Sequence, residues 1–394
     1  MCYAIPGKIT ALDGRVATVD YFGEKRKAYT DLVEGLCVGD NVYAQGGFVI
    51  RTISSEEAGE VLNIWQDIFF KLKEQDKKLA HDPKNLYERA NAIRVQHQDN
   101  SCCVHGIIEF SSYCARDCHY CGIRKGNADL VRYRMEVDEI VSAVGHAVEH
   151  GFQALVLQCG EDPYYTDDKL EQIIKDIRAR HKVLIFVSVG ERSKEAYRRM
   201  YDAGARGALL RFETSNEEIY DKIKIGGGLA ARLELIRALK EMGYLIVTGF
   251  LIGLPGQTHN DIMRDIKMTA DLGAEMFSFG PFIPHPQTPL AGKSAPTLKK
   301  VLDTIANARI MNVDAKILVT TALETLWGLD GAREGLMAGA NSLMINVTPE
   351  KYRKLYDIYP ERFGTQIEIQ DHIDMVIGLL RGIGRAPTDL SVRE

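Results

Sequence analysis

Three cysteines crowd into eight residues of the segment SSYCARDCHYCGIRKG, Ser111 to Gly126: Cys114, Cys118 and Cys121, spaced C-x3-C-x2-C. A closed structural zinc site takes four ligands, and disulfides take pairs. Three thiols in one short loop suit an iron-sulfur cluster instead, because soft thiolates favour such clusters and one loop can present several ligands to one cluster. Three thiolates hold three irons of a 4Fe-4S cube and leave the fourth iron open. A zinc site completed by a distant histidine, or a chance grouping, is the plainer alternative. No fourth cysteine stands within the segment, and none occurs after Cys159.

Other chemistry-bearing residues end apolar runs further along. LQCGEDP (157–163) carries Glu161, and a lone acid at such a place is often only a helix N-terminal charge. SVGE (188–191) ends a run with Ser188, and LRFETS (210–215) carries Arg211 and Glu213. Those two can clasp a ligand by charge-assisted hydrogen bonds, or simply pair with each other at a barrel mouth. GFLIGLPGQT (249–258), with Leu254 inside it, has glycines that let the backbone approach a ligand closely; an ordinary Gly-Pro turn is the alternative.

Such residues need a scaffold that gathers strand ends. Apolar strand-like runs recur at 106–111, 152–158, 183–189, 207–213, 244–250, 275–280, 316–321 and 341–346. Amphipathic stretches at 136–150, 167–180, 193–203, 229–242 and 258–272 separate most of them. Eight strands each followed by a helix predict an α/β fold, a parallel (β/α)8 barrel of the TIM type over 101–394. A six-strand partial barrel is the nearest alternative, since the last two runs carry the weakest signal. Chemistry in such barrels sits at the C-terminal strand ends, and the cysteine triplet directly follows the first strand. Before the barrel, GKITALDG, RVATVDYFG, KRKAYTDL and GDNVYAQGGFVI are short apolar runs bounded by turn residues, which predicts a small all-β barrel over 1–55. A helical linker is expected over 56–100, with Ser54 or Ser55 as its N-cap.

The totals narrow the partners. The 394 residues are 45% apolar and 26% charged, an ordinary globular balance. A net charge of -5 leaves no basic excess to neutralise phosphates, so nucleic acid is not an expected partner. No run of about 18 apolar residues occurs, so no membrane span is expected. The start MCYAIPGKITALDGRV lacks the features of a secretory signal, so a cytoplasmic location, with reduced thiols, is expected. Cys37, Cys102 and Cys103 have no motif around them and read as core or linker thiols.

With Tyr120 before its last cysteine, the C-x3-C-x2-C loop resembles the motif of the radical S-adenosylmethionine enzymes. The resemblance implies one 4Fe-4S cluster on Cys114, Cys118 and Cys121, with S-adenosylmethionine on the open iron. It also implies Tyr120 near the adenine, Glu161 at the amino group and Arg211 with Glu213 at the carboxylate and ribose. Ser188 and Leu254 complete the expected cofactor contacts. IIEFSSYCARDCHYCGIRKGNADLVRYRM, VLQCGEDPYY, LLRFETSN, GLPGQT, GPFIPHPQTPLA and TPEKYRKLYDIYP together resemble the HydE family of iron-iron hydrogenase maturases. That likeness implies an organometallic substrate, a cysteine bound to an Fe(CO)2(CN) unit, and other hydrogenase maturation proteins as partners. His285, in GPFIPHPQTPL, either faces the cavity or caps a turn. A methylornithine-synthase-like reaction on an amino acid is the alternative, and the missing downstream cysteines speak against a second cluster and against biotin synthase. The start MCYAIPGKI with CVGDNVYAQGGFVIRTISSEEAGEVL resembles the HypC family, small barrels that carry iron in nickel-iron hydrogenase assembly. Cys2 is the iron-carrying position implied, whereas Gln45 stands where that family has a histidine. A carrier fused in this way would hold an iron complex at the barrel mouth at roughly millimolar local concentration. A plain docking role for the small barrel, or a non-catalytic assembly carrier, are the other readings.

Overall fold

A computed structural model describes residues 5–388. Strands β1 (Gly7–Asp13), β2 (Val16–Tyr21), β3 (Glu24–Tyr29), β4 (Asn41–Gln45) and β5 (Phe48–Ile53) close into a barrel in the order β1-β2-β3-β5-β4. The run read as GDNVYAQGGFVI is two strands rather than one, because Gly46 and Gly47, both at positive φ, turn the chain between them. Ser54 caps α1 (Ser55–Leu79) by accepting from the Glu57 amide, with acids in the first turn and Lys77 and Lys78 in the last. After α2 (Leu86–Gln98) the large barrel begins.

Its elements alternate as β6 (Cys103–Ser111), α3 (Val137–Glu149), β7 (Ala154–Cys159), α4 (Asp167–Arg180), β8 (Leu184–Ser188), α5 (Lys194–Asp202) and β9 (Gly207–Leu209). Then come α6 (Glu217–Ile223), α7 (Leu229–Glu241), β10 (Leu245–Thr248), β11 (Leu251–Ile252), α8 (His259–Asp271), β12 (Met276–Phe277) and β13 (Gly280–Pro281). The chain ends with α9 (Leu298–Met311), β14 (Lys316–Ile317), α10 (Thr321–Met337), β15 (Ser342–Asn346), α11 (Glu350–Arg353) and α12 (Ile369–Gly382). Thr166, Ser193, Asn216, Thr258 and Thr297 cap the helices that follow them, so each of these loops ends on a side chain that satisfies a helix N-terminus.

Eight parallel strands run in the order β14-β12-β10-β9-β8-β7-β6-β15. A bridge between Leu318 and Ser342 spans the last gap, with the Val319 amide donating to the Ser342 carbonyl at 2.9 Å. The fold is therefore a nearly closed (β/α)8 barrel, and the six-strand alternative falls. The run at 341–346, expected to be weak, is the fully buried β15; β12 and β14 are the short strands, two residues each. Buried on both faces, β6 and β15 show no alternation, as a parallel barrel strand should not.

The small barrel plugs the floor of the large one. Phe48 and Ile50 pack in one apolar cluster with Leu184, Phe186, Val247 and Met344 from the barrel interior. Gly46 faces Leu184 and Leu245, the first residues of β8 and β10; an added Cβ would lie 2.7 Å from Leu184 Cδ2. The expected position at the mouth is thus corrected: the apolar face of β5 covers the N-terminal strand ends, opposite the cysteine loop. A buried charge network ties the linker helices to the barrel. Asp76 of α1 takes two bonds from Arg94 of α2, at 2.5 and 2.7 Å, while Arg385 reaches Asn91 and the Leu336 carbonyl. Among the described residues no helix is long and apolar enough to cross a membrane.

Candidate active site

The C-terminal strand ends surround a cavity of about 290 Å³. Cys114, Cys118, Tyr120 and Cys121 of the β6–α3 loop line it, as do Glu161 after β7, Ser188 closing β8, and Arg211 and Glu213 after β9. Eight expected site residues therefore come from four strand ends to one place. Leu254 does not line the cavity; it packs with Ile219, Leu251 and Phe282 in the apolar cluster that backs Tyr120. Cys2 lies outside the described residues.

The cysteine loop has little regular structure and is held by side chains. Arg132 donates to the carbonyls of Ser112, Ile123, Arg124 and Asn127, and the Gly122 amide donates to the Ile358 carbonyl at 2.9 Å. The amides of Arg116 and Glu161 point at Cys114 Sγ, at 3.4 and 3.3 Å, and Lys224 Nζ lies 3.7 Å from Cys118 Sγ. Burial pushes the Cys114 thiol pKa up despite those two amides. Burial does the same at Cys121, and the neighbouring Cys118 and Cys114 add to it. Such a pocket favours three thiolates only when positive iron is bound among them. Among the described residues no three His, Cys, Asp or Glu side chains converge on one ion. A cube takes one thiolate at each of three corners. Donors, charge and loop together fit a 4Fe-4S cluster.

Cys159, the last residue of β7, also lines the cavity although it is only 6% exposed. Its thiol pKa is raised well above the usual range, chiefly by burial. It stands two residues before Glu161 in LQCGEDP, but the cysteine itself was not singled out there.

Behind the thiols runs a charge relay. Arg116 bridges Glu161 and Glu191, both at 2.6 Å, and Arg232 joins Glu191 to the Arg211 carbonyl, again at 2.6 Å. Burial works against the Glu191 carboxylate, but Arg232 first, then Lys224 and Arg116, hold its pKa below the ordinary value. Arg211 pairs with Glu213 at 2.8 Å. Glu213 sits at φ 68°, a left-handed backbone that costs a non-glycine residue. Arg116 lies inside the cysteine motif but was not singled out there; Arg232 sits on a helix with no motif. His285 does not line the cavity. The Gln287 amide donates to its Nδ1 at 3.1 Å, and its Nε2 meets Asp357 at 3.0 Å, so it caps a turn behind Gly122.

At the other side of the same cavity lie Glu109, Tyr356, Tyr359 and Arg362. Arg362 forks onto the buried Glu109 carboxylate, which also accepts from Asn346 at 2.9 Å. The cavity thus joins a thiol-lined end to an ionic, aromatic end.

Residues 108–269 match the Radical SAM superfamily, and residues 1–65 match the HupF/HypC family. Over 303 residues the chain is 38% identical to the [FeFe] hydrogenase maturase subunit HydE of Thermotoga maritima, covering 77% of this chain and 86% of that protein. It is 29% identical over 310 residues to a 3-methylornithine synthase of Methanosarcina acetivorans, covering 77% and 85%. The crystal structure of methylornithine synthase (PylB) shares its fold with a TM-score of 0.69, over 82% of this chain and 97% of that one, at 23% identity.

Proposed function

This chain belongs to the HydE family of radical S-adenosylmethionine enzymes, and we propose on that premise that its substrate is an iron-bound cysteine carrying carbon monoxide and cyanide, in the maturation of a hydrogenase metal centre. The 4Fe-4S cluster and S-adenosylmethionine, when bound, supply an adenosyl radical by one-electron cleavage of a carbon-sulfur bond. The rest is the work of this chain's residues. Cys114, Cys118 and Cys121 hold the cluster. Glu161, fixed by Arg116, receives the amino group of S-adenosylmethionine, while Arg211 and Glu213 receive its carboxylate and ribose. Tyr120, with Leu254 packed behind it, backs the adenine, and Ser188 lines the wall between.

One observation supports the substrate reading: the cavity continues from the cysteine loop to Glu109 and Arg362, which pair with each other here and carry the charges with which the ammonium and carboxylate of an amino acid would exchange. The same pair supports a second reading, a methylornithine-synthase-like reaction on a free amino acid, so the iron-bearing end decides between them. In the small barrel, Gln45 takes the place of a histidine, and its amide donates to Cys103 Sγ at 3.2 Å. Cys2 is proposed to carry iron for the large barrel.

The test is anaerobic reconstitution followed by S-adenosylmethionine and dithionite, with and without a synthetic Fe(CO)2(CN)-cysteine complex. An adenosyl-sulfur product that requires the complex is expected. Adenosyl products indifferent to the complex would remove the substrate assignment, and cleavage surviving Cys118→Ala would remove the cluster assignment. A Cys2→Ala variant should lose bound iron while its barrel cluster stays intact; iron equal to that of the parent would end the carrier role.

A further inference from the structure

Helix α8 carries two buried acids one turn apart on one face, Asp261 and Asp265, at 2% and 0% exposure. Asp261 serves mainly the start of its own helix. It accepts from the Thr258 amide at 2.7 Å in the capping box and pairs with Arg264, and it takes Asn216 Nδ2 at 3.0 Å as well. Asp265 has no such local use. One of its oxygens, Oδ1, accepts the Ser215 amide at 2.5 Å, and the other, Oδ2, accepts Gln257 Nε2 at 3.1 Å. Burial raises its pKa to about 6, against the pull of the Ser215 and Gln257 donors.

Both donors belong to loops of the site. Ser215 stands two residues after Glu213, whose left-handed backbone is tied to the next strand end. The Glu213 amide donates to the Gly249 carbonyl at 3.1 Å, and the Glu213 carbonyl accepts the Leu251 amide at 2.8 Å. Gln257 closes the second loop by accepting the Gly253 amide at 2.7 Å and donating to the Leu251 carbonyl at 2.9 Å. Leu251 lines the cavity and packs with Leu254 against Tyr120. One carboxylate thus spans the loop of Arg211 and Glu213 and the loop of Leu251 and Leu254.

We propose that Asp265 is the positioning residue for the nucleoside half of S-adenosylmethionine: it locks the loop that faces the ribose to the loop that backs the adenine, so that both are set as one wall. The inference rests on the roles given above to Glu213, Tyr120 and Leu254. Donor and acceptor chemistry carries it. An ionised carboxylate only accepts, and this one meets two donors fixed in different loops. An asparagine of the same shape must turn its own amide onto one of them and lose that bond. The methionine half has separate anchors: Arg116 fixes Glu161, and Arg232 holds the Arg211 carbonyl at 2.6 Å.

The test is made on Asp265→Asn holoenzyme with its cluster iron counted. It is titrated anaerobically with S-adenosylmethionine, with 5'-deoxyadenosine and with methionine. Affinity for the first two should fall about tenfold, the lower end of what one hydrogen bond to a charged group contributes. Methionine affinity should stay at the wild-type value. Gln257→Met removes the other partner of the same bond and should reproduce that pattern, so it decides the matter if Asp265→Asn does not hold its cluster. A role confined to stability would move unfolding midpoints without separating nucleoside from methionine. Wild-type affinity for 5'-deoxyadenosine in these variants, or methionine weakened in equal measure, would overturn the inference. Glu213→Gln, titrated in the same way, separates two failures. If it loses the nucleoside and Asp265→Asn keeps it, the inference falls and the role of Glu213 stands; if both keep it, that role falls as well.

Discussion

Replacing Gly190 by alanine should detach Glu161 from its guanidinium partner without altering either side chain. Gly190 sits at φ +74°, and a Cβ there would lie 2.1 Å from Glu161 Cγ and 2.7 Å from its Cδ. Carbon atoms rest about 3.5–4.0 Å apart, so Glu161 must retreat by roughly 1.5 Å. Its bond to Arg116, 2.6 Å long, then stretches beyond hydrogen-bonding reach, past about 3.5 Å. A hydrogen bond to a charged group contributes roughly 1.5–3 kcal/mol, which corresponds to about 10–150-fold in the dissociation constant of S-adenosylmethionine. Gly35→Ala is the control: its φ of +73° is nearly the same, but an added Cβ meets nothing within 4 Å. Both variants bear the left-handed backbone cost of about 1–2 kcal/mol in stability, and only Gly190→Ala should lose cofactor affinity. Isothermal titration of reconstituted protein, with iron counted in each sample, reads the outcome. Unchanged affinity in Gly190→Ala at full iron content, or equal weakening by Gly35→Ala, would refute the role given to Glu161.

Cys159→Ala should keep its cluster iron and its cleavage of S-adenosylmethionine, whereas Cys118→Ala should lose both; loss of iron in Cys159→Ala would make it a fourth ligand. Asp76→Asn leaves Arg94 and Arg385 buried without their carboxylate, and denaturant unfolding of the apoprotein should show a loss of about 3–5 kcal/mol. His372 is buried against Phe363, and burial first, then Arg353, hold its pKa down to about 4, below the ordinary 6.5. The folded protein keeps the ring neutral while the unfolded chain takes up a proton, so stability should fall between pH 6.5 and about 4, by up to about 3 kcal/mol. His372→Phe should flatten that slope in unfolding midpoints compared at pH 7 and 4.5, and an unchanged slope would show that other groups carry it.

Much of the scaffold was legible because its signals are local. The Ser54 cap, the helix at 167–180 and the apolar run at 183–189 depend on residues within one element, where periodicity and capping act directly. Strand lengths were less legible. The runs at 275–280 and 316–321 look as apolar as the others, but only two residues of each pair in the barrel sheet, since barrel closure and not composition decides how far strands overlap. The split at Gly46 was missed because a two-glycine turn and a glycine inside a strand look alike in one dimension.

By itself the sequence determined the C-x3-C-x2-C spacing of Cys114, Cys118 and Cys121, the alternation that makes a (β/α)8 barrel, and the place of Glu161, Arg211 and Glu213 at its strand ends. Those features reside in spacing, and spacing survives without coordinates. The tertiary structure alone decided that Arg116 serves both Glu161 and Glu191, that Arg362 closes on Glu109 from 253 residues away, and that the small barrel sits on the floor. It also turned Cys103 from an unmarked thiol into the neighbour of His105 and Gln45. The physical reason is common to all four: ion pairs, hydrogen bonds and apolar contacts act over a few ångströms of space, and only the closed barrel and its register bring such distant residues that near.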